Sequence, residues 1–372
     1  MRPAITTSAL ARTRRRIARG ALPALVLAGG LVATGTAEPA HADDNGAGTL
    51  RVASYNVQFV TPDLPLLRHV LREWPGHKPN VTARAEAIAM RLACFDVVAL
   101  QETINDRRRQ EMFERLESAG RACGKPSHLP SGRMFAFVDG PDAKDEPGWL
   151  PLVGRELALA SRLPVVATDG HVYRHAAEED RLAAKGVLHA RLARDGDHLI
   201  DVFVTHLQAG YEHGAVRRRQ IEELASFIRR KVNGATHPVL VLGDFNVRGS
   251  RVDRQDPGSD YRFLMERLNA AVAPRRVRDA WLATHADDPE TASGTKPRVL
   301  PDGTLRSHEE RIDYLFLAGG DAAPESTRLD FFSSDLMVDG VPVGHLSDHA
   351  ALLAEVSWRR SPTAARLAAS GP

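Results

Sequence analysis

The chain has 372 residues, 43% of them hydrophobic and 26% charged, with a formal net charge of +2 and two cysteines. That balance fits a soluble globular protein with a sizeable core, and it excludes a low-complexity chain or a disulfide scaffold. A near-neutral total also lacks the global basic field expected of a protein that wraps a polyanion.

Taken in order, Arg12, Arg14, Arg15, Arg16 and Arg19 precede an apolar run from Ala21 to Thr34, and Ala40-His41-Ala42 follows. Basic, then apolar, then small-x-small is the order of a secretory signal, which predicts cleavage after Ala42 and a secreted product. Thr13-Arg14-Arg15-Arg16-Ile17 also loosely suits a twin-arginine signal, so the export route stays open. Residues 1–42 hold six Arg and one Glu, so their removal takes the formal charge from +2 to about −3. The basic character therefore belongs to the leader. No later apolar run is long enough to span a bilayer. In an exported protein Cys94 and Cys123 can close a loop of about 30 residues, stabilising by ~3 kcal/mol; two free buried thiols are the alternative.

Residues 43–49 read as a flexible polar entry, 50–360 as one catalytic domain and 361–372 as a disordered tail. Leu50 to Val57 alternates as a strand that arrives at Asn56. Thr82 to Ala93 is a helix with Ala85, Ile88, Ala89 and Leu92 on one face. Phe95 to Glu102 reads as a buried strand ending on a carboxylate, Arg107 to Ala119 as a helix, and Asp139 to Gly148 as a mobile loop. Glu156 to Ser161, Gly186 to Leu192 and Leu199 to His206 are further strands, the last closing on a histidine. Val216, Gln220, Ile221, Leu224, Phe227 and Ile228 stripe a helix that leads into Val239-Leu240-Val241-Leu242-Gly243-Asp244-Phe245-Asn246. Arg311 to Leu317 is a strand with an internal aspartate, and Ala350 to Trp358 is the last strand. The runs Arg107-Arg108-Arg109 and Arg217-Arg218-Arg219 read as solvated helix faces. Strands with helices interposed suggest a single α/β sandwich.

Placement recurs in these elements. Five strands deliver Asn56, Glu102, His206, Asp244 with Asn246, and Asp313 at or near an end, and Ser347-Asp348-His349 stands just before the sixth. Asp244 and Asn246 would converge if the backbone between them stays extended, whereas an Asx turn is the local alternative. Asn56, Glu102, Asp244, Asn246 and Asp348 are hard oxygen donors suited to Mg²⁺ and not to zinc. Such a site polarises a phosphoryl oxygen and activates water. His206 and His349 can move protons near neutral pH, with Asp313 as the partner that fixes the tautomer of His349. Each residue taken alone has a local explanation, Asp313 beside Arg311 among them; phosphodiester hydrolysis needs the whole set.

The order Tyr55-Asn56-Val57, Gln101-Glu102, Thr205-His206-Leu207, Gly243-Asp244-Phe245-Asn246, Arg311-Ile312-Asp313-Tyr314, Ser347-Asp348-His349 resembles the endonuclease/exonuclease/phosphatase superfamily, the DNase I-like fold, from about residue 50 to 358. The resemblance implies a four-layer α/β/β/α sandwich and a site that works with Mg²⁺, for which Mn²⁺ or Co²⁺ can substitute. It further implies that Asn56 and Glu102 hold the metal with Asp348 on the metal side of the cleft. Asp244 and Asn246 would orient water and phosphate, Asp313 would support His349, and His206 would stabilise developing charge or protonate the leaving oxygen.

Within the superfamily, Ser161-Arg162-Leu163-Pro164-Val165, Lys185-Gly186-Val187-Leu188 preceded by Asp180 and Leu182, and Thr205-His206-Leu207-Gln208-Ala209 are similar to stretches of secreted bacterial neutral sphingomyelinases. That likeness offers Lys185 as a phosphate contact. Those enzymes carry an exposed aromatic pair on a hairpin used to enter membranes. Here Phe331-Phe332 and Leu336-Met337-Val338-Asp339-Gly340-Val341-Pro342-Val343 fill the interval, with Asp-Gly as a turn and no Trp at the tip. Insertion into lipid through 331–343 and an ordinary buried hairpin both remain open. The reading is a secreted, monomeric phospholipase C acting on sphingomyelin or a related phospholipid. A secreted nuclease acting on nucleic acid is the rival, and a catalytically silent binding module a further alternative.

Overall fold

The chain is described by a computed structural model that places residues 48–60, 78–79, 81–142, 144, 155–194, 198–285, 296–299, 305–319 and 322–358. The elements in chain order are β1 (Gly48–Asn56), α1 (Thr82–Leu92), β2 (Val97–Gln101), α2 (Asp106–Gly120), β3 (Ala136–Asp139), β4 (Ala158–Ser161), β5 (Val165–Val172), β6 (Gly186–Ala193) and β7 (Leu199–His206). They continue as α3 (Gly214–Val232), β8 (Val239–Asp244), α4 (Arg251–Gln255), α5 (Asp260–Val272), β9 (Val277–Asp279), α6 (Ala280–Thr284), β10 (Lys296–Val299) and β11 (Leu305–Glu310). The last are β12 (Asp313–Ala318), β13 (Ala322–Asp330), β14 (Ser333–Val338), β15 (Val341–His345) and β16 (Ala351–Trp358).

Two six-stranded mixed sheets run β13-β16-β1-β2-β4-β3 and β5-β6-β7-β8-β12-β9, and two hairpins, β10-β11 and β14-β15, stand apart from them. Side chains alternate between faces along a strand. In β8, Leu240 and Leu242 therefore join the core between the sheets, while Val239 and Val241 join the core under α3 and α5. Across the other sheet, Leu50 and Val52 face the inter-sheet core, whereas Ala53 and Tyr55 pack with Ile88 and Leu92 of α1 and Met112 and Leu116 of α2. The inner strands β2, β8 and β12 are buried on both faces, which is why they read as continuous apolar runs, whereas the edge strands β5 and β13 are only partly buried. Three stacked cores give the expected α/β/β/α sandwich.

Several expectations are corrected. The second strand ends at Gln101, since Glu102 turns the chain with φ 57°. Asp313 is the first residue of β12 and not internal to a strand. The Arg311 and Ile312 carbonyls are taken by Gly249 N and Phe245 N, and the ladder begins at the pair Asp313–Asp244. Arg311 pairs with Asp279, not with Asp313. The arginine runs are only partly solvated. Arg109 donates to the Thr103 carbonyl and pairs with Asp139, and Arg217 donates to the Gln208 and Gly210 carbonyls. Arg108, Arg109 and Arg217 are buried, because each satisfies backbone carbonyls or carboxylates of its own chain.

Cys94 and Cys123 form a disulfide with Cα atoms 5.4 Å apart, joining the end of α1 to the turn after α2. The entry segment overlaps β1 at Gly48 and Thr49. Of the loop from 139 to 148, Asp142 is buried and accepts from Lys144 N. The leader 1–42, residues 143 and 145–148 of that loop, and the tail 361–372 lie outside the described residues. No described helix is long and apolar enough to cross a membrane.

Near the start of β7, at the opposite end of the strand from His206, the buried Asp201 accepts from His189 Nε2 at 2.7 Å and Arg191 Nε at 2.9 Å, and also pairs with His237. Burial alone would raise its pKa, yet these three cationic or donor partners win and hold it well below the carboxylate range. A depressed folded pKa means stability that is whole above the unfolded value of about 3.9 and is lost as pH falls toward the folded one. Asp201→Asn is expected to cost ~3 kcal/mol in urea unfolding at pH 7 by leaving the cluster uncompensated. The difference from wild type should narrow below about pH 4; a constant difference from pH 7 to pH 3 would remove the electrostatic explanation.

Candidate active site

Topology brings the predicted residues to one rim. β1 and β2 are parallel and β16 is antiparallel to β1, so Asn56, Glu102 and His349 stand at the same end of the first sheet. In the second sheet β7 and β8 are parallel and β12 is antiparallel to β8, which sets His206, Asp244 and Asp313 side by side. Asn56 Nδ2 joins the two sets, donating to Glu102 Oε1 at 2.7 Å and to Asp244 Oδ2 at 3.2 Å.

Gly243 makes this junction possible. Its φ is 141°, and a Cβ there would fall 1.9 Å from the Thr205 carbonyl oxygen, so β7 and β8 could not run together to the rim with any other residue. Beyond it the backbone does not stay extended: Asn246 adopts φ 49°, its N–H donates to Asp244 Oδ1 at 2.9 Å, and its Nδ2 donates to the Leu207 carbonyl at 2.9 Å. The Asx turn is formed, and it is the turn that keeps both side chains at the rim. Glu102 and Asn246 share a left-handed backbone, which costs non-glycine residues roughly 1 kcal/mol or more and concentrates at working sites.

His349 Nδ1 and Asp313 Oδ2 are 2.8 Å apart, and His349 Nε2 lies 3.7 Å from Asp244 Oδ2. Ser347 Oγ donates to the Asn56 carbonyl at 2.7 Å and accepts from His349 N at 3.2 Å, tying the last motif to the first. Deeper still, His206 Nε2 is 3.4 Å from Asp244 Oδ2, and its Nδ1 is 2.9 Å from Glu156 Oε1. Burial disfavours the imidazolium, but Glu156 and Asp244 outweigh that and raise the His206 pKa. Burial likewise raises the Glu102 pKa, with His206 opposing it and Asp348 adding to it.

Lys185 is buried rather than poised in solvent. Its Nζ contacts Asp180 Oδ2 at 2.9 Å, His206 Nε2 at 3.1 Å and the Leu207 carbonyl at 3.0 Å. Burial lowers its pKa, and Asp180 and Glu156 more than reverse the effect. Asp180, part of the Lys185 segment that carried the resemblance, pairs with that lysine, whereas Glu156 is a member of the site that sequence reasoning missed. Its signal was a carboxylate abutting an otherwise apolar strand, beside the buried Leu157.

Carboxylate oxygens of Glu102 and Asp244 and a ring nitrogen of His206 lie within 4.8 Å of one another, as do atoms of Asp244, Asp313 and His349. An oxygen-rich group of this kind fits a small hard divalent cation. Asp348 belongs to neither group of three, although its charge is felt at Glu102. The half-buried Asn246 and Asp348 flank the centre, and Asn56, His206, Asp244, Asp313 and His349 are buried.

A rim of carboxylates, amides and two carboxylate-oriented histidines on this sandwich defines a metal-dependent phosphoric diester hydrolase. The chain belongs to the Endonuclease/Exonuclease/phosphatase family, which it matches over residues 53–349. Among curated relatives, a sphingomyelinase of Dictyostelium discoideum is 26% identical over 211 residues, covering 48% of this chain and 43% of that protein. Sphingomyelinase C of Bacillus cereus is 24% identical over 310 residues, covering 79% and 83%. Of solved structures, the beta toxin of Staphylococcus aureus superposes with a TM-score of 0.56 at 19% identity over 82% of this chain and 99% of that one. D. rerio TDP2 complexed with a single-strand DNA product gives 0.54 at 17% identity over 83% and 98%. The two structures share the fold.

Proposed function

We propose that the protein is a secreted, Mg²⁺-dependent phospholipase C, cleaved after Ala42, that hydrolyses sphingomyelin or a related phospholipid to a phosphorylated head group. The observation that carries the lipid reading is the β14–β15 hairpin. It turns through Asp339-Gly340 with φ of 51° and 79°, exposes Met337 and Val341 at 55% and 64%, and runs straight into Ser347-Asp348-His349. The sphingomyelinase relatives support the same substrate class.

A bound divalent cation would neutralise charge on the phosphoryl oxygens, and Glu102 with Asn56 and Asp244 would hold it, Asp348 adding negative charge at its edge. His349, its tautomer fixed through Nδ1 by Asp313, takes the proton of the attacking water at Nε2. Asp244 and Asn246 orient that water against the phosphorus. His206, kept protonated by Glu156, donates toward the charge that develops on the phosphoryl oxygens or toward the leaving oxygen. Lys185 adds positive charge beside His206, and Asp180 holds it in place.

The test offers the purified protein sphingomyelin, phosphatidylcholine, plasmid DNA and a phosphomonoester, each with Mg²⁺ and with EDTA. Phosphorylated head-group release that EDTA abolishes is the expected result. Nicked plasmid beside untouched lipid would instead establish the nuclease reading, which the DNA-bound structural neighbour keeps in view.

A further inference from the structure

Arg84 lies in the first turn of α1 and is fully buried, and among the described residues none of its hydrogen bonds goes to a carboxylate. Its Nε donates to the Pro79 carbonyl at 2.8 Å, one terminal nitrogen to those of Val57 and Leu346 at 2.7 Å each, and the other to that of Gln58 at 2.8 Å. The guanidinium also lies over the Phe59 ring, 4.2 Å from its centroid. A buried cation whose hydrogen bonds among the described residues all go to neutral carbonyls is a costly way to fill space, and an apolar side chain would serve packing better.

Three of the four carbonyls, those of Val57, Gln58 and Leu346, share a neighbourhood. Val57 and Gln58 follow Asn56, and Gln58 N returns a hydrogen bond to Asn56 Oδ1 at 3.1 Å. Leu346 sits two residues before Asp348. Phe59 N donates to the Glu102 carbonyl at 2.9 Å, so the ring beneath the guanidinium is fastened to the third metal-side residue. Gln58 and Glu102 both hold left-handed backbones, with φ of 50° and 57°, and the Arg84 bond to Gln58 offsets part of that strain.

We infer that Arg84 is a positioning residue for the metal: its guanidinium fixes the backbone of Asn56, Glu102 and Asp348 at one spacing and so sets how tightly the divalent cation binds. This rests on the metal-dependent reading above. Five donors in one rigid plane can serve three separate chain segments, which the three donors of a lysine on a flexible stem cannot do in the same geometry.

The test is Arg84→Lys in the full chain, read by Mg²⁺-induced thermal stabilisation without substrate and by the Mg²⁺ dependence of turnover. Half-maximal stabilisation should need at least tenfold more Mg²⁺ than in wild type, while turnover at saturating Mg²⁺ returns to within threefold. An unchanged Mg²⁺ midpoint, whatever the melting temperature in EDTA, would overturn the inference by reducing Arg84 to a packing role. Should that variant not fold, Phe59→Leu decides: a Mg²⁺ midpoint raised twofold or more supports the assignment, and no change overturns it. Wild-type protein that Mg²⁺ fails to stabilise would strike the metal reading itself, a different result from a normal wild type beside an unaltered variant.

Discussion

Replacing His349 with Ala is expected to lower kcat by about 10³-fold on whichever phosphodiester is hydrolysed, the scale of losing one positioned proton-transfer group. The side chain is fully buried, and its removal leaves Asp313 without the 2.8 Å contact to Nδ1. A stability cost of ~1–3 kcal/mol should accompany the loss, so turnover is compared well below the unfolding transition. Asp313→Asn should also lower kcat, and the double variant should be no worse than about His349→Ala alone, because two groups that act as a unit are not additive. The pH dependence separates this pair from His206. Glu156 and Asp244 raise the His206 pKa, so the protonated form required of it persists further toward alkaline pH than an ordinary histidine allows. A His349→Ala enzyme retaining a tenth of wild-type kcat would remove His349 from the proton-transfer step.

The rim was legible because polar residues that close apolar strands break a pattern the eye can follow. Asn56, Glu102, His206 and Asp244 each end such a run, and parallel pairing of β1 with β2 and of β7 with β8 turns strand ends into neighbours. Glu156 was not legible in its role, since a glutamate at the start of a strand looks like any exposed acid until folding sets it 2.9 Å from His206. Arg84 had a signal that helical periodicity contained. It stands four residues before Ile88, on the same stripe as Ile88 and Leu92, where a solvated arginine does not belong. Arg109 sits likewise on the stripe of Met112, Phe113 and Leu116. A charge on an apolar helical face marks a partner elsewhere in the chain, and the more remote of them, the Val57 and Leu346 carbonyls for Arg84 and Asp139 for Arg109, are too distant in sequence for spacing to reveal. The left-handed Glu102 escaped for a related reason, its backbone being set by what converges at the rim, whereas the Asx turn after Asp244 was one of the two local alternatives the sequence offered.

Asp introduced together at Met337 and Val341 is expected to weaken hydrolysis of lipid vesicles about 100-fold and to leave a water-soluble diester untouched. The figure follows from the hairpin's exposure: each apolar side chain moved from water into lipid contributes ~1.5 kcal/mol, and two of them account for a factor near 10² in binding. Leu336 is half-buried, so Leu336→Asp should give a smaller loss on vesicles. The stem is built differently from the tip. Phe332 is buried against Tyr55 with ring centroids 5.2 Å apart, Val343 is buried and its carbonyl accepts from Lys78 Nζ at 3.0 Å, and Leu346 N donates to the Phe332 carbonyl at 3.2 Å. Phe332 therefore anchors the hairpin to the sandwich instead of entering the bilayer, and the aliphatic tip carries the contact. Because the stem is fastened to the strand that delivers Asn56, charge at the tip should change membrane partition without disturbing the rim. Vesicle sedimentation and hydrolysis of both substrates, measured on the same preparation, separate the two effects. Undiminished vesicle hydrolysis by the double variant would leave the hairpin without a membrane role, and equal losses on both substrates would show that the tip acts on the site and not on the lipid.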